Sequence, residues 1–173
     1  MMAQLTLVLG GARSGKSARA LALAEAAAPP GARVFMATAE ALDEEMAERI
    51  ARHKAERGAD WALVEAPLEL ADAVSAHGGS GRVLLIDCLT LWLSNLMHHE
   101  RAPDMAAADL LARIADAPGH VVAVSNEVGM GLAPMNALGR AFRDAQGRLN
   151  QQVAAVADRV EFVAAGLPMV LKG

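Results

Sequence analysis

The sequence predicts an α/β fold on a mostly parallel sheet, and three observations carry that prediction. Apolar runs of strand length alternate with stretches of helical period along the chain. The first such run, Leu5-Thr6-Leu7-Val8-Leu9, enters Gly10-Gly11-Ala12-Arg13-Ser14-Gly15-Lys16-Ser17, a complete phosphate-binding loop of the form GxxxxGK[ST]. At 173 residues the chain fits one domain, and a chain of that size buries roughly 70% of the surface its unfolded form exposes. No internal repeat or low-complexity linker divides it, so a single nucleotide-binding domain over 1–173 is expected.

Strands are expected at Thr6–Leu9, Val34–Thr38, Ala62–Glu65, Val83–Ile86 and Val121–Ser125, each a short apolar run bounded by turn residues. Helices fill the gaps at 17–28, 42–57, 68–76, 89–98, 105–116 and about 136–157. Pro29-Pro30-Gly31 and Gly78-Gly79-Ser80-Gly81 are turns, since each is short and leads into a new strand. The last strand-like pieces, Val160–Ala164 and Met169–Leu171, are separated by Gly166-Leu167-Pro168, a connection short enough for an antiparallel hairpin at a sheet edge. The expected class is therefore a phosphate-loop NTPase of RecA-like type with an antiparallel C-terminal edge hairpin.

Glycines let the loop turn its N–H groups toward phosphate oxygens, Lys16 adds a full positive charge, and Ser17 offers a hydroxyl to Mg²⁺. The helix that begins near Ser17 points an N-terminus worth roughly +0.5 charge at the same anion. Val83-Leu84-Leu85-Ile86-Asp87 ends in a carboxylate that a parallel strand delivers to the same sheet edge. Asp87 has two readings, the Mg²⁺ partner of Ser17 and the N-cap of the next helix, and the phosphate loop favours the metal role.

In the stretch 41–54, Leu42, Met46 and Ile50 recur at four-residue steps and His53 follows on the same face. Spacing alone favours a core histidine, whereas Arg49, Arg52, Lys54 and Arg57 form a cluster that would hold phosphates near the imidazole or else make a solvated face with Glu44, Glu45, Glu48 and Glu56. Asn126-Glu127-Val128-Gly129-Met130-Gly131 leaves the functional edge as a candidate substrate loop; Glu127 fits either a proton acceptor or a capping residue. His77, His98, His99 and His120 fall at turns or helix ends and read as structural or surface residues.

Charge and composition narrow the class. The formal net charge of −4 comes from interspersed residues without a Lys/Arg block, which argues against a nucleic-acid groove. The single cysteine, Cys88, excludes an internal disulfide and a Cys-based zinc cluster. The first apolar run is too short for a signal peptide or a spanning helix, so a soluble, cytoplasmic protein without membrane attachment is expected.

The phosphate loop, Ala37-Thr38-Ala39, Asp43-Glu44-Glu45-Met46 with Arg49-Ile50 and His53-Lys54, the Asn126–Gly131 stretch, and Phe142-Arg143-Asp144 with Gly147-Arg148-Leu149-Asn150-Gln151 together resemble one family. It is the bifunctional adenosylcobinamide kinase / adenosylcobinamide-phosphate guanylyltransferase family of cobalamin biosynthesis. The likeness covers nearly the whole chain, and the ordered set is specific where the first loop alone is not. It implies an enzyme that phosphorylates the aminopropanol hydroxyl of adenosylcobinamide with ATP or GTP. GMP from GTP then passes through a guanylylated histidine to adenosylcobinamide phosphate, giving adenosylcobinamide-GDP.

By this resemblance His53 is the nucleophile; some relatives carry two adjacent histidines, and Arg52-His53 leaves one candidate. The resemblance also places nucleotide on Gly10, Gly11, Ala12, Arg13, Ser14, Gly15, Lys16 and Ser17, on Ala37, Thr38 and Ala39, on Lys54, Ala55, Glu56 and Arg57, and on Glu65 and Asp87, and it implies a homotrimer. Two other readings fit the residues: a phosphate-loop kinase of another small hydroxylated metabolite, with His53 structural, and a GTP-dependent switch.

Overall fold

A computed structural model describes residues 4–40 and 60–173. The expected helix over 42–57, with His53 and Lys54–Arg57, lies outside the described residues. Seven strands form one sheet in the order β3-β2-β4-β5-β1-β6-β7. These are β1 (Gln4–Gly10), β2 (Arg33–Ala37), β3 (Trp61–Glu65), β4 (Val83–Asp87), β5 (His120–Asn126), β6 (Arg159–Ala164) and β7 (Leu167–Lys172). Every neighbouring pair is parallel except β6 and β7. The described helices are α1 (Lys16–Ala27), α2 (Leu70–His77), α3 (Leu89–His98), α4 (Pro103–Asp116) and α5 (Ala137–Val156).

The apolar runs read as strands because both faces of a parallel sheet are covered, so adjacent residues bury to opposite sides. Leu5, Leu7, Leu9, Leu84, Ile86, Val121 and Ala123 join Leu70, Trp92, Leu93, Leu96, Leu110 and Leu149 in one core. Val8, Val83, Leu85, Val122, Val124 and Val163 face the other way, onto Ala20, Ala24 and Ala28. Alanines at these positions let α1 lie close to the strands. Trp92 is buried and satisfies its indole N–H on Leu68 O at 2.9 Å.

Helix boundaries follow local chemistry. Proline at N1 starts α4 at Pro103, two residues before the expected 105, because the first turn has no use for that N–H. Asn136 caps α5, its side chain accepting from Gly139 N at 2.6 Å.

The C-terminal hairpin is tighter than the expected Gly166-Leu167-Pro168 connection. Ala164 pairs with Leu167, so the turn is Ala165-Gly166 alone, with φ of 51° and 77°. Two positive φ values in a two-residue turn match the right-handed twist of the flanking strands. Pro168 sits inside β7 opposite Val163; a residue without an N–H is tolerated there because β7 is an edge strand. No described helix is long and apolar enough to cross a membrane.

Candidate active site

Parallel strands deliver their C-terminal residues to one edge, and the registers set the order along it. Glu65 of β3 lies beside Ala37 of β2, and Ala37 beside Asp87 of β4. On the other side Asn126 of β5 lies beside Gly10 of β1, and Gly10 beside Val163 of β6. Strands sit about 4.8 Å apart, so Glu65 is roughly 19 Å along the edge from the phosphate loop's strand. Lys16, Ser17 and Asn126 stand at the β1–β5 end, Asp87 follows on β4 with Ala37 beside it on β2, and Glu65 stands at the far end on β3.

The loop is bound on three sides. Ser14 N donates to Gly11 O at 3.3 Å, Glu127 N to Gly10 O at 3.0 Å, and Gly166 N to Ser14 O at 2.7 Å. The last bond ties the C-terminal hairpin to the phosphate loop, a role its edge position in the sequence does not disclose. Gly10 tolerates no side chain: a Cβ there would meet Ser14 Oγ and stand 2.6 Å from Val163 O. Gly15, at φ 95°, supplies the left-handed turn into α1. Lys16 is 9% exposed, and its Nζ donates to Gly11 O at 3.0 Å, within the loop. Arg13 and Ser17 are exposed.

Behind the loop, Arg19 of α1 grips Glu161 of β6 through two bonds, Nε to Oε2 at 2.7 Å and Nη2 to Oε1 at 2.8 Å; Arg159 Nε adds a third at 2.9 Å. Glu161 has no exposed surface, and the Arg19 guanidinium holds its carboxyl below the usual carboxylate range against the opposing effect of burial. The same bond raises the Arg19 pKa. The pair fastens the first turns of α1 to the sheet.

Cys88 occupies the N-cap of α3, and Asp87 closes β4. The strand end is clamped by Thr38, which is fully buried. Its Oγ1 accepts from Cys88 N at 2.7 Å, and its hydroxyl proton faces Asp87 O at 2.9 Å and Cys88 O at 2.8 Å. Asn95 of α3 in turn donates to Thr38 O at 2.7 Å. Within Ala37-Thr38-Ala39 the threonine side chain thus braces the Asp87 strand end.

Sequence reasoning missed a second bracket, under the Asn126 loop. Gln146 Nε2 donates to Ser125 Oγ and to Asn150 Oδ1, both at 2.9 Å. Ser125 Oγ donates to Asn150 Oδ1 at 2.6 Å, and Asn150 Nδ2 reaches Asn126 O at 3.0 Å. On the far side Asn126 N donates to Thr90 Oγ1 at 2.8 Å. Glu127 caps its own loop, accepting from Gly129 N at 2.6 Å, which is the bracing half of the two readings for it. Met130, Leu132 and Met135 beyond it are 79%, 98% and 99% exposed.

Ser17 and Asp87 offer a hydroxyl and a carboxylate at one end of the edge, hard oxygen donors that suit Mg²⁺ when phosphates supply other ligands. Among the described residues no group of three His, Cys, Asp or Glu could hold a metal without such help. His99 lies against Glu40 at 3.1 Å, and His120 accepts or donates toward Thr6 Oγ1 at 2.9 Å at the opposite edge of the sheet. Burial lowers the His120 pKa, with Asp158 opposing.

Comparison with known proteins agrees with this geometry. Among solved structures, a prototypical ATPase from the type III secretion system of pathogenic bacteria matches with a TM-score of 0.53 at 14% identity, covering 98% of this chain and 57% of that one. The flagellar accessory protein FlaH of Methanocaldococcus jannaschii matches at 0.50 and 12%, over 98% and 78%. These likenesses concern the fold alone, the mostly parallel sheet of a RecA-like phosphate-loop NTPase with an antiparallel edge. The bifunctional adenosylcobalamin biosynthesis protein CobP of Pseudomonas aeruginosa is 46% identical over 170 residues, 96% of each chain. The protein CobU of Salmonella typhimurium, described by the same words, is 39% identical over 97% of this chain and 99% of its own. The family model for cobinamide kinase / cobinamide phosphate guanyltransferase matches residues 6–171. A phosphate loop and an Asp-terminated strand at one sheet edge, within a chain matched almost end to end, place this protein in the cobinamide kinase / cobinamide phosphate guanyltransferase family, as a kinase and nucleotidyltransferase.

Proposed function

We propose that this chain, as one nucleotide-binding domain over 1–173, phosphorylates adenosylcobinamide with ATP or GTP and then transfers GMP from GTP to adenosylcobinamide phosphate through a guanylylated His53. The observation that carries the reading is the convergence of Lys16, Ser17 and Asp87 at one sheet edge in a chain matched to the family over residues 6–171.

In the first reaction the acceptor hydroxyl oxygen bonds to the γ-phosphorus, the bridging P–O bond to the β-phosphate breaks, and the nucleoside diphosphate leaves with the electron pair. Loop amides, Lys16 and the α1 N-terminus face the charge on the phosphates, so alignment and electrostatics do most of the work. Mg²⁺, held by Ser17 and Asp87, would neutralise phosphate charge. In the second reaction an imidazole nitrogen of His53 attacks the α-phosphorus and pyrophosphate leaves. A phosphate oxygen of adenosylcobinamide phosphate then attacks the same phosphorus, and the P–N bond breaks to give adenosylcobinamide-GDP. Neutral imidazole is nucleophilic near pH 7, and its phosphoramidate is labile enough to pass GMP onward.

Ala37, Ala39 and Glu65 at the β2–β3 end, together with Lys54, Ala55, Glu56 and Arg57, are assigned to the rest of the nucleotide. The exposed apolar residues Leu167, Met169, Val170 and Leu171 of edge strand β7 are consistent with a homotrimer, which light scattering would test. The cytoplasm is the proposed compartment.

Incubation with α-labelled GTP and denaturation tests the covalent step. Acid-labile, base-stable label is expected on the wild type and not on His53→Ala. Unlabelled but active protein would favour a plain kinase, and unchanged cobinamide beside slow GTP hydrolysis would favour a switch.

A further inference from the structure

We propose that Asn126 is a γ-phosphate-contacting residue of the kinase step, held in place by Thr90 and by the buried Ser125–Gln146–Asn150 network. The inference rests on the kinase reading above. The strand order places β5 between β4, which ends in Asp87, and β1, which runs into the loop. Asn126 is the last residue of β5, and its register partner is Gly10, the first residue of the loop. On the β4 side its Nδ2 points at Cys88 Sγ, 3.6 Å away, in the residue after Asp87. The side-chain amide therefore stands between the loop and the carboxylate, the interval in which the terminal phosphate of a loop-bound triphosphate lies.

The way Asn126 is held separates it from an ordinary strand end. The β4–β5 pairing stops at Ile86↔Ala123. Asn126 lies beyond it, and side chains take over there: Thr90 Oγ1 accepts its N–H, and Asn150 Nδ2 donates to its carbonyl. Burying Ser125, Gln146 and Asn150 in an otherwise apolar core costs free energy unless their bonds are made; Gln146 Oε1 is left without a partner, and the bonds that are made converge on the end of β5. With both backbone groups fixed from two helices, the side chain has a defined direction.

The chemistry suits the place. A thiol is a weak acceptor, so a phosphate oxygen competes effectively for the Asn126 amide. As the acceptor oxygen bonds to the γ-phosphorus and the β–γ bridge breaks, a neutral donor can follow the equatorial oxygens through the transfer. Asn126 neither takes nor gives a proton; the acceptor's hydroxyl proton leaves to solvent. A donor aimed at the γ-phosphate also distinguishes triphosphate from diphosphate.

The test is calorimetric titration with Mg²⁺ and α,β-methylene analogues of ATP, ADP, GTP and GDP, which block transfer to His53. In Asn126→Ala, affinity for a triphosphate analogue should fall about tenfold or more while that for its diphosphate stays within about twofold, as for loss of one hydrogen bond to a charged group. The kcat for cobinamide phosphorylation should fall further than KM rises. Asn126→Ser, which keeps a polar group there, provides the same readout should the alanine variant fold poorly. Equal losses for triphosphate and diphosphate, or none, would overturn the assignment. Failure of the wild type to phosphorylate cobinamide would instead sink the substrate reading and leave the affinity ratio readable.

Discussion

The two ends of the functional sheet edge are built differently. At the phosphate end, β1, β4 and β5 are buried almost throughout, and each strand terminus is held by side-chain or loop bonds: Glu161–Arg19 behind α1, Thr38 on the Asp87 end, Asn150 and Thr90 on Asn126. At the other end β3 is an edge strand with no buried residue, and Glu65 is exposed. A rigid end suits a charge-stabilising site, whose donors must not reorganise during transfer. The open end suits a group that enters and leaves, and it adjoins the stretch that carries His53 in the sequence. On the proposed function, kinase chemistry falls to the first end, whereas guanylyl transfer draws on both.

Lys16→Ala tests that division most severely. Loss of the charge from the loop should lower phosphorylation of cobinamide by about 10²–10³-fold. If GTP lies extended from the loop toward Glu65, guanylylation of His53 should fall by a similar factor, because the leaving pyrophosphate occupies the same loop. Full retention of guanylyl transfer, measured with α-labelled GTP, would mean that the two ends hold separate nucleotides.

Glu65→Gln probes the open end and should produce a smaller effect. Loss of one charged acceptor to a nucleotide hydroxyl or base edge weakens binding by about tenfold. The expected signature is a raised KM for GTP in guanylyl transfer with the Lys16-dependent kinase rate preserved. Equal damage to both reactions would place Glu65 in the fold rather than in the nucleotide site.

Legibility in the sequence follows the same divide. Strand positions are readable because a doubly covered parallel strand is a continuous apolar run, and β4 and β5 differ from expectation by a residue or two at their ends. The loop motif and Asp87 are readable because their chemistry is local. The brackets are not. Gln146 and Asn150 are one helical turn apart on α5, and only the folded chain shows that both turn inward to Ser125. Thr38 reads as part of a nucleotide-binding tripeptide, and its work on the Cys88 backbone depends on a neighbour 50 residues away. The hairpin departs from expectation at Leu167 and Pro168 because proline marks a turn in most contexts but not on an edge strand.

The smallest expected effect tests whether the phosphate end is stiff because of its buried charge. Glu161 titrates below its ordinary value of 4.5 in the folded protein, so its contribution to stability is full above that value and is lost as pH falls through the lowered folded pKa. His120 adds a second acid-side term: its folded pKa lies below 6.5, so the unfolded chain takes the proton first and stability declines as pH falls below 6.5. The two are separable by mutation. Arg19→Met should lower stability by about 1 kcal/mol near neutral pH, a figure kept small because Arg19 is partly exposed and Arg159 remains on the carboxylate. That difference should shrink as Glu161 protonates, while His120→Gln should flatten only the part of the curve just below pH 6.5. Thermal midpoints across pH 3–8 would show this. A deficit in Arg19→Met that stays constant down to pH 3 would mean that lost side-chain packing, rather than the Glu161 charge, accounts for the effect.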